Sequence, residues 1–230
     1  MRSGDSGRPG HIRSYVLQKQ RMTAAQQSAY ERLYDRFARS YREEETDVRG
    51  FFPHPEHPLV LEVGFGMGRT TAQLAEEWPD WNFLGIEVHR PGVGKLLHEI
   101  ERRGLENIRI IQHDAVEVLQ HMVVEPGFAG LHIFFPDPWP KKRHHKRRLI
   151  RPGLVELFRD RLLPGGYLYA VTDWEDYARQ ILRVLEETPG LENAYDGYAP
   201  RMAWRPDTAF ERRGLAREHR IFEVYFRRSV

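Results

Sequence analysis

The stretch Leu59-Val60-Leu61-Glu62-Val63-Gly64-Phe65-Gly66-Met67-Gly68 joins an apolar, strand-like run to glycines at every second position. Thr70-Thr71-Ala72-Gln73 follows and fits a capping box, with Thr70 as the N-cap and Gln73 three residues on. The pattern predicts a strand, a tight glycine turn and the start of a helix. Glycine tolerates positive φ and lets a ligand lie against bare backbone. A helix start leaves N–H groups unpaired beside that space. Glu62 stands within the strand end, where its carboxylate could meet an ammonium group. A second apolar run, Phe83-Leu84-Gly85-Ile86, closes on Glu87, whose carboxylate could accept both hydroxyls of a ribose.

The dinucleotide fingerprint is G-x-G-x-x-G/A, with a helix start aimed at pyrophosphate. Here Gly64, Gly66 and Gly68 give G-x-G-x-G, and Arg69 stands three residues after Gly66. An adenosine ligand that carries an ammonium and no phosphate suits Glu62, so S-adenosylmethionine fits better than NAD. A further apolar run ends in Phe135-Pro136-Asp137-Pro138-Trp139-Pro140. Strand carboxyl ends carry the reacting groups of open α/β sheets. Two prolines restrict the backbone around Asp137 and aim its carboxylate, and Trp139 could stack a base. Six cations and two histidines then fill positions 141–148. In a chain of net charge +2 such a concentration reads as a phosphate-binding footprint for RNA or DNA.

A chain of 230 residues is long enough for one domain with a large core. It holds no Cys, which excludes disulfides, thiolate metal sites and a Cys nucleophile. No apolar run approaches the roughly 20 residues that span a bilayer. The N-terminus has no signal-peptide core, so the cytoplasm is expected. His54 and His57 lie in a Pro-rich linker and His144-His145 in the cation run, and ordinary ligand sets argue against a metal at either. Monomer and homodimer both stay open.

These groups need elements to position them. Residues 1–11 have almost nothing apolar to bury and are expected to be disordered. Residues 1–22 form a flexible basic arm, and 23–230 the main domain. Residues 23–39 should be helical, with Tyr30, Leu33, Tyr34 and Phe37 on one packing face. Strands are predicted at 59–63, 82–87, 108–112, 131–135 and 167–172. Helices should follow at about 70–78, 92–103, 115–122, 152–163 and 174–187, with Pro164-Gly165-Gly166 as a turn. Residues 220–227 alternate as a final strand, which could run antiparallel. Residues 195–206 read as a loop that could cover the site. The alternation predicts an α/β fold with a doubly wound, mostly parallel sheet.

With these residues in view, the chain resembles the bacterial tRNA (guanine-N7)-methyltransferases. The resemblance runs from about His11 to Arg227. It is carried by His-Ile-Arg-Ser-Tyr (11–15), Gln20-Arg21-Met22-Thr23, the glycine stretch 62–68, Gly-Ile-Glu-Val-His (85–89) and His113-Asp114-Ala115. Pro-Asp-Pro-Trp-Pro-Lys (136–141), Thr172-Asp173 and Thr-Ala-Phe-Glu-Arg-Arg-Gly (208–214) complete it, the first of these being highly specific. The resemblance implies a Rossmann-like class I fold and methyl transfer from S-adenosylmethionine to N7 of a guanosine in the tRNA variable loop. It implies that Glu62, Glu87, Asp114 and Asp137 bind the cofactor beside Gly64 and Gly66, and that Asp137 is also catalytic. Lys141, Asp173, Thr208, Ala209, Phe210 and Glu211 match substrate-binding positions. Arg143, Lys146, Arg147 and Arg148 fall in the RNA-contacting region. The residues alone leave three rivals: methylation of a small molecule or protein, a non-catalytic RNA-binding protein, and a nicotinamide oxidoreductase.

Overall fold

A computed structural model describes residues 12–15, 21–123, 126–207, 211 and 220–230. The expected disorder of residues 1–11, most of the arm and positions Thr208, Ala209 and Phe210 lie outside them. Among the described residues eight strands form one sheet: β1 (Ala38–Arg39), β2 (Leu59–Val63), β3 (Asn82–Ile86), β4 (Ile108–Ile111), β5 (Phe128–Phe134), β6 (Leu162–Thr172), β7 (Leu191–Asn193) and β8 (Phe222–Arg228). Their order is β1-β4-β3-β2-β5-β6-β8-β7. All pairs are parallel except those of β8, which runs antiparallel to β6 and β7.

Helices α1 (Ala24–Phe37), α2 (Arg69–Glu77), α3 (Arg90–Arg103), α4 (Ala115–His121), α5 (Leu154–Arg161) and α6 (Glu175–Glu186) flank the sheet. β2, β3 and β5 are apolar over nearly their whole length because helices cover both faces. One core lies under α4, α5 and α6, with Leu61, Leu119, Phe158 and Ile181 in it. The other lies under α1, α2 and α3, with Val60, Leu74, Phe83 and Leu97. Tyr30, Leu33 and Tyr34 of α1 pack against the second, as the helical spacing predicts. Among the described residues no helix is long and apolar enough to cross a membrane.

Several boundaries differ from the sequence reading. The capping box belongs to α1, where Thr23 Oγ1 accepts from Gln26 N and Gln26 Oε1 from Thr23 N. At α2 the cap is Gly68, left-handed at φ 66°, with no side-chain cap bond; Thr70 lies inside the helix. α1 stops at Phe37 because Ala38 and Arg39 pair with β4. Pro164-Gly165-Gly166 is a bulge inside β6, whose pairing jumps from Leu162 to Tyr167 against β5. The 195–206 segment is anchored at its end: Trp204 packs on His132 and Tyr169, and Arg205 is fully buried.

Candidate active site

The connections step outward one way from β2 to β3 and β4, and the other way from β5 to β6. That reversal opens a crevice at the carboxyl ends of β2 and β5, where open α/β sheets bind their ligands. Glu62 is the second-last residue of β2 and sits opposite Gly85 of β3 and His132 of β5. Glu87 follows β3, Asp114 follows β4, Asp137 follows β5 and Asp173 follows β6. The strand ends therefore align five acidic residues along one rim of the sheet.

The glycine turn is built for close approach. Gly64, Gly66 and Gly68 all hold positive φ, 58–74°, which a side chain resists. A Cβ on Gly64 or Gly66 would meet nothing within 4 Å, so open space lies against that backbone. Gly92, in the first turn of α3, packs so tightly that its Cβ would lie 2.0 Å from Gly66 O. Gly66 N donates to Glu87 Oε2 at 2.8 Å. Val88 N and His89 N donate to Glu87 Oε1 at 2.8 and 3.0 Å. A carboxylate has about four acceptor sites, so roughly one remains, on Oε2. Glu87 thus first braces the turn and has less to offer a ribose than its position in the sequence implies.

Glu62 is 3% exposed and accepts from Thr71 Oγ1 at 2.7 Å. No ion pair to it occurs among the described residues. Burial pushes its carboxyl up to about 7, the Thr71 bond opposing and the Glu87 charge adding to the rise. Burial also raises Glu87, against the pull of its three backbone donors. The two carboxylates lie near enough for the Glu87 charge to act on Glu62. Asp114 is the N-cap of α4 and accepts from Val116 N at 2.8 Å; it is buried.

Asp137 sits between two residues with left-handed backbone, Phe135 at φ 51° and Trp139 at φ 45°. Such conformations cost about 1–3 kcal/mol each and persist only where surroundings enforce them. Phe135 N donates to Val171 O at 2.8 Å, holding the loop to β6. Trp139 Nε1 donates to Ser14 O at 3.1 Å, and the Arg147 guanidinium lies 4.1 Å from the centre of its ring. One face of this ring is therefore already covered. Arg147 Nε also donates to Arg13 O at 3.2 Å. Asp137 itself is open to solvent on one side, yet packing around the carboxylate raises its pKa, with Arg147 opposing.

The basic run divides in two. Lys141, Arg143 and Lys146 are exposed, and Arg147 is half-buried. Arg148 is 1% exposed, which contradicts its expected place in an RNA-contacting surface. It donates to Pro138 O at 2.8 Å, to Gln180 Oε1 at 2.6 Å and to Asp176 Oδ2 at 2.6 Å. Arg148 thus ties the loop that carries Asp137 to α6. Glu211 is also inward-facing: Arg205 donates to both of its oxygens, at 2.7 and 2.8 Å, and to Glu223 at 2.7 Å. Lys141 caps the 3-10 turn at Lys142–Arg147, and Asp173 is half-buried beyond β6.

Sequence reasoning missed Thr71, Arg148 and Arg205 in these supporting roles. Only the i, i+9 separation of Glu62 and Thr71 across a strand–turn–helix offered a signal. His89, in the turn after Glu87, donates its backbone N–H to Glu87 Oε1, and its buried Nε2 has no hydrogen-bond partner among the described residues.

The family described as "Putative methyltransferase" matches residues 56–224. A tRNA (guanine-N(7)-)-methyltransferase from Bordetella pertussis is 49% identical over 225 residues, 98% of this chain and 88% of that protein. One from Paraburkholderia xenovorans is 52% identical over 217 residues, 94% of this chain and 83% of that one. In fold, the chain is similar to the 16S rRNA methyltransferase KamB, with a TM-score of 0.56 at 15% identity, covering 94% of this chain and 99% of that one. The antibiotic-resistance methyltransferase Kmr gives a TM-score of 0.53 at 17% identity, covering 80% and 94%. On half-identity relatives that span nearly its whole length, the chain belongs to the tRNA (guanine-N(7)-)-methyltransferase family.

Proposed function

We propose that the chain transfers a methyl group from S-adenosylmethionine to N7 of a variable-loop guanosine in tRNA, giving 7-methylguanosine. The observation that carries this reading is the rim of acidic strand ends, with the glycine turn and Asp137 on the two strands that border the crevice. Its specificity for tRNA rests on the relatives and on the exposed cations beside Asp137. Cytoplasmic action belongs to the same proposal, since tRNA is the substrate.

The residues fit the donor. Gly64 and Gly66 leave bare backbone facing open space, a cradle that a Cβ would fill. Glu62 is a buried carboxylate waiting for a cation, which the ammonium of the methionyl part would provide. Glu87 keeps about one acceptor site for a ribose hydroxyl. Asp114 lies on the same rim, and its carboxylate holds the start of α4. When bound, the donor supplies an electrophilic sulfonium methyl, and guanine N7 has a lone pair and no hydrogen, so no proton acceptor is required.

Alignment then becomes the main task of the protein, and orientation alone can supply roughly 7–11 kcal/mol. Asp137 is suited to it. Its carboxylate can accept from guanine N1–H and N2–H₂, and its charge favours the cationic purine that forms. Arg148 and the bond from Phe135 N keep its loop in place. The exposed Lys141, Arg143 and Lys146 would hold the phosphates.

Purified protein, bulk tRNA lacking 7-methylguanosine and the methyl donor test this directly, with nucleoside analysis as readout. The expected product is 7-methylguanosine at one variable-loop position. Asp137→Ala should lower turnover by about a hundredfold or more with an unchanged thermal midpoint, as for loss of a positioned charged group. A different methylated nucleoside, or transfer to protein instead of tRNA, would replace this reading with its rival.

A further inference from the structure

The turn that leads into β2 lies at the end of the sheet opposite the acidic rim. It reads Pro53-His54-Pro55-Glu56-His57-Pro58. Considered as sequence, its two histidines offered too few ligands for a metal. The fold adds Glu56 between them. One ligand atom from each of His54, Glu56 and His57 lies within 4.8 Å of the others. His54 Nδ1 is 3.3 Å and His57 Nε2 is 3.9 Å from the same oxygen, Glu56 Oε1. The two imidazoles stack with centroids 4.9 Å apart.

We propose that His54, Glu56 and His57 form a binding site for a divalent transition metal, of which zinc is the best match. Two imidazoles and a carboxylate are a usual zinc donor set, with one position left for water. Zinc–ligand bonds of about 2.0–2.2 Å in a tetrahedron put ligand atoms roughly 3.3–3.6 Å apart. The two spacings to Glu56 are near that, and the imidazoles, now stacked with planes 18° apart, must turn out of the stack for their in-plane lone pairs to converge on one ion.

The backbone is set beforehand. Prolines at 53, 55 and 58 restrict φ along the turn. Asn82 Nδ2 donates to His54 O at 2.6 Å, and His57 N donates to the same oxygen at 3.2 Å. Asn82 N donates to Pro58 O at 2.8 Å and fixes the far end. Less loop entropy therefore remains to be lost on binding. The Arg that lines the adjoining concavity with His54 and His57 is Arg103. It is committed to Glu76 and Glu99, so its charge is already met.

A metal here would cross-link the 53–58 turn within itself, just ahead of β2 and at the end of the sheet opposite the reacting groups. The role is structural, and the inference is independent of the proposed reaction. Equilibrium dialysis of the full, untagged chain against micromolar zinc, with metal analysis, is the test. Wild type should retain one more zinc per chain than the double variant His54→Ala/His57→Ala. Glu56→Gln should weaken that site about tenfold, as loss of one anionic ligand would. Zinc in hundredfold excess over its Kd should raise Tm of the wild type by roughly 5 °C, and of the double variant by none of this. Equal zinc retention by wild type and double variant overturns the proposal, and so does an unchanged wild-type Tm.

Discussion

Burial lifts the pKa of the Glu62 carboxyl to about 7, so the protonated form persists to a higher pH than for an exposed glutamate. In the unfolded chain it titrates near the usual 4.5. Between those values the native state holds more protons than the unfolded one. Raising the pH across that window therefore weakens the ligand-free fold. A cationic ligand reverses the preference, since it pairs with the ionised form. Donor binding should expel a proton, and affinity should rise with pH up to about 7 and then level off. Calorimetry in two buffers of different ionisation enthalpy would read the proton release. Glu62→Gln should abolish it while keeping the Thr71 bond. A wild-type affinity that stays flat from about pH 6 to 8 would show that Glu62 does not meet the cation.

Among the elements, the contact between the glycine turn and α3 is the least forgiving. Gly92→Ala would put a Cβ 2.0 Å from Gly66 O, which is backbone and cannot swing aside. α3 and the turn must separate, and the Gly66–Glu87 bond goes with them. Overpacking of this kind costs about 1–3 kcal/mol, and donor affinity should fall about tenfold or more. Gly50→Ala, with nothing within 4 Å of its new Cβ, should leave both unchanged. Thermal melts and donor titration of the two variants decide it. The βα units around this contact were legible in the sequence, because each strand is an apolar run closed by a turn signal. β1 and β7, at two and three residues, carry no pattern of their own and exist only as edge pairings. The 163–166 bulge reads locally as a turn, and only the register with β5 reveals it as strand. The site divides the same way. Glu62 is marked by its place within the end of an apolar run, and Glu87 and Asp137 by following one. The inward turn of Arg148 and the Arg205–Glu211–Glu223 network depend on residues 6–32 positions away, beyond any local pattern.

Across the whole molecule the charge nearly cancels, so attraction for RNA has to come from where cations collect. The run at 141–148 is that place, beside Asp137 at the ligand-binding end of the sheet. Counting every cation in it as a phosphate contact would overstate the footprint. Arg148 faces inward, and its partner Asp176 is held below the usual carboxylate range chiefly by the bond from Arg148. Each exposed cation that meets a phosphate adds up to about 0.9 to the slope of log affinity against log salt. Arg143→Ala and Lys146→Ala should therefore each flatten that slope for tRNA, with little effect on melting. Arg148→Met should act the other way round: the slope stays, the melting temperature drops, and turnover falls because Pro138 O loses its tie to α6. Asp176 is exposed, so the ion pair itself contributes little, and the lost bonds to Pro138 O and Gln180 should dominate the change. Filter binding at several salt concentrations, beside melts and single-turnover rates, separates the two classes. A slope that responds to Arg148→Met and not to Arg143→Ala would mean that the run turns over to meet RNA.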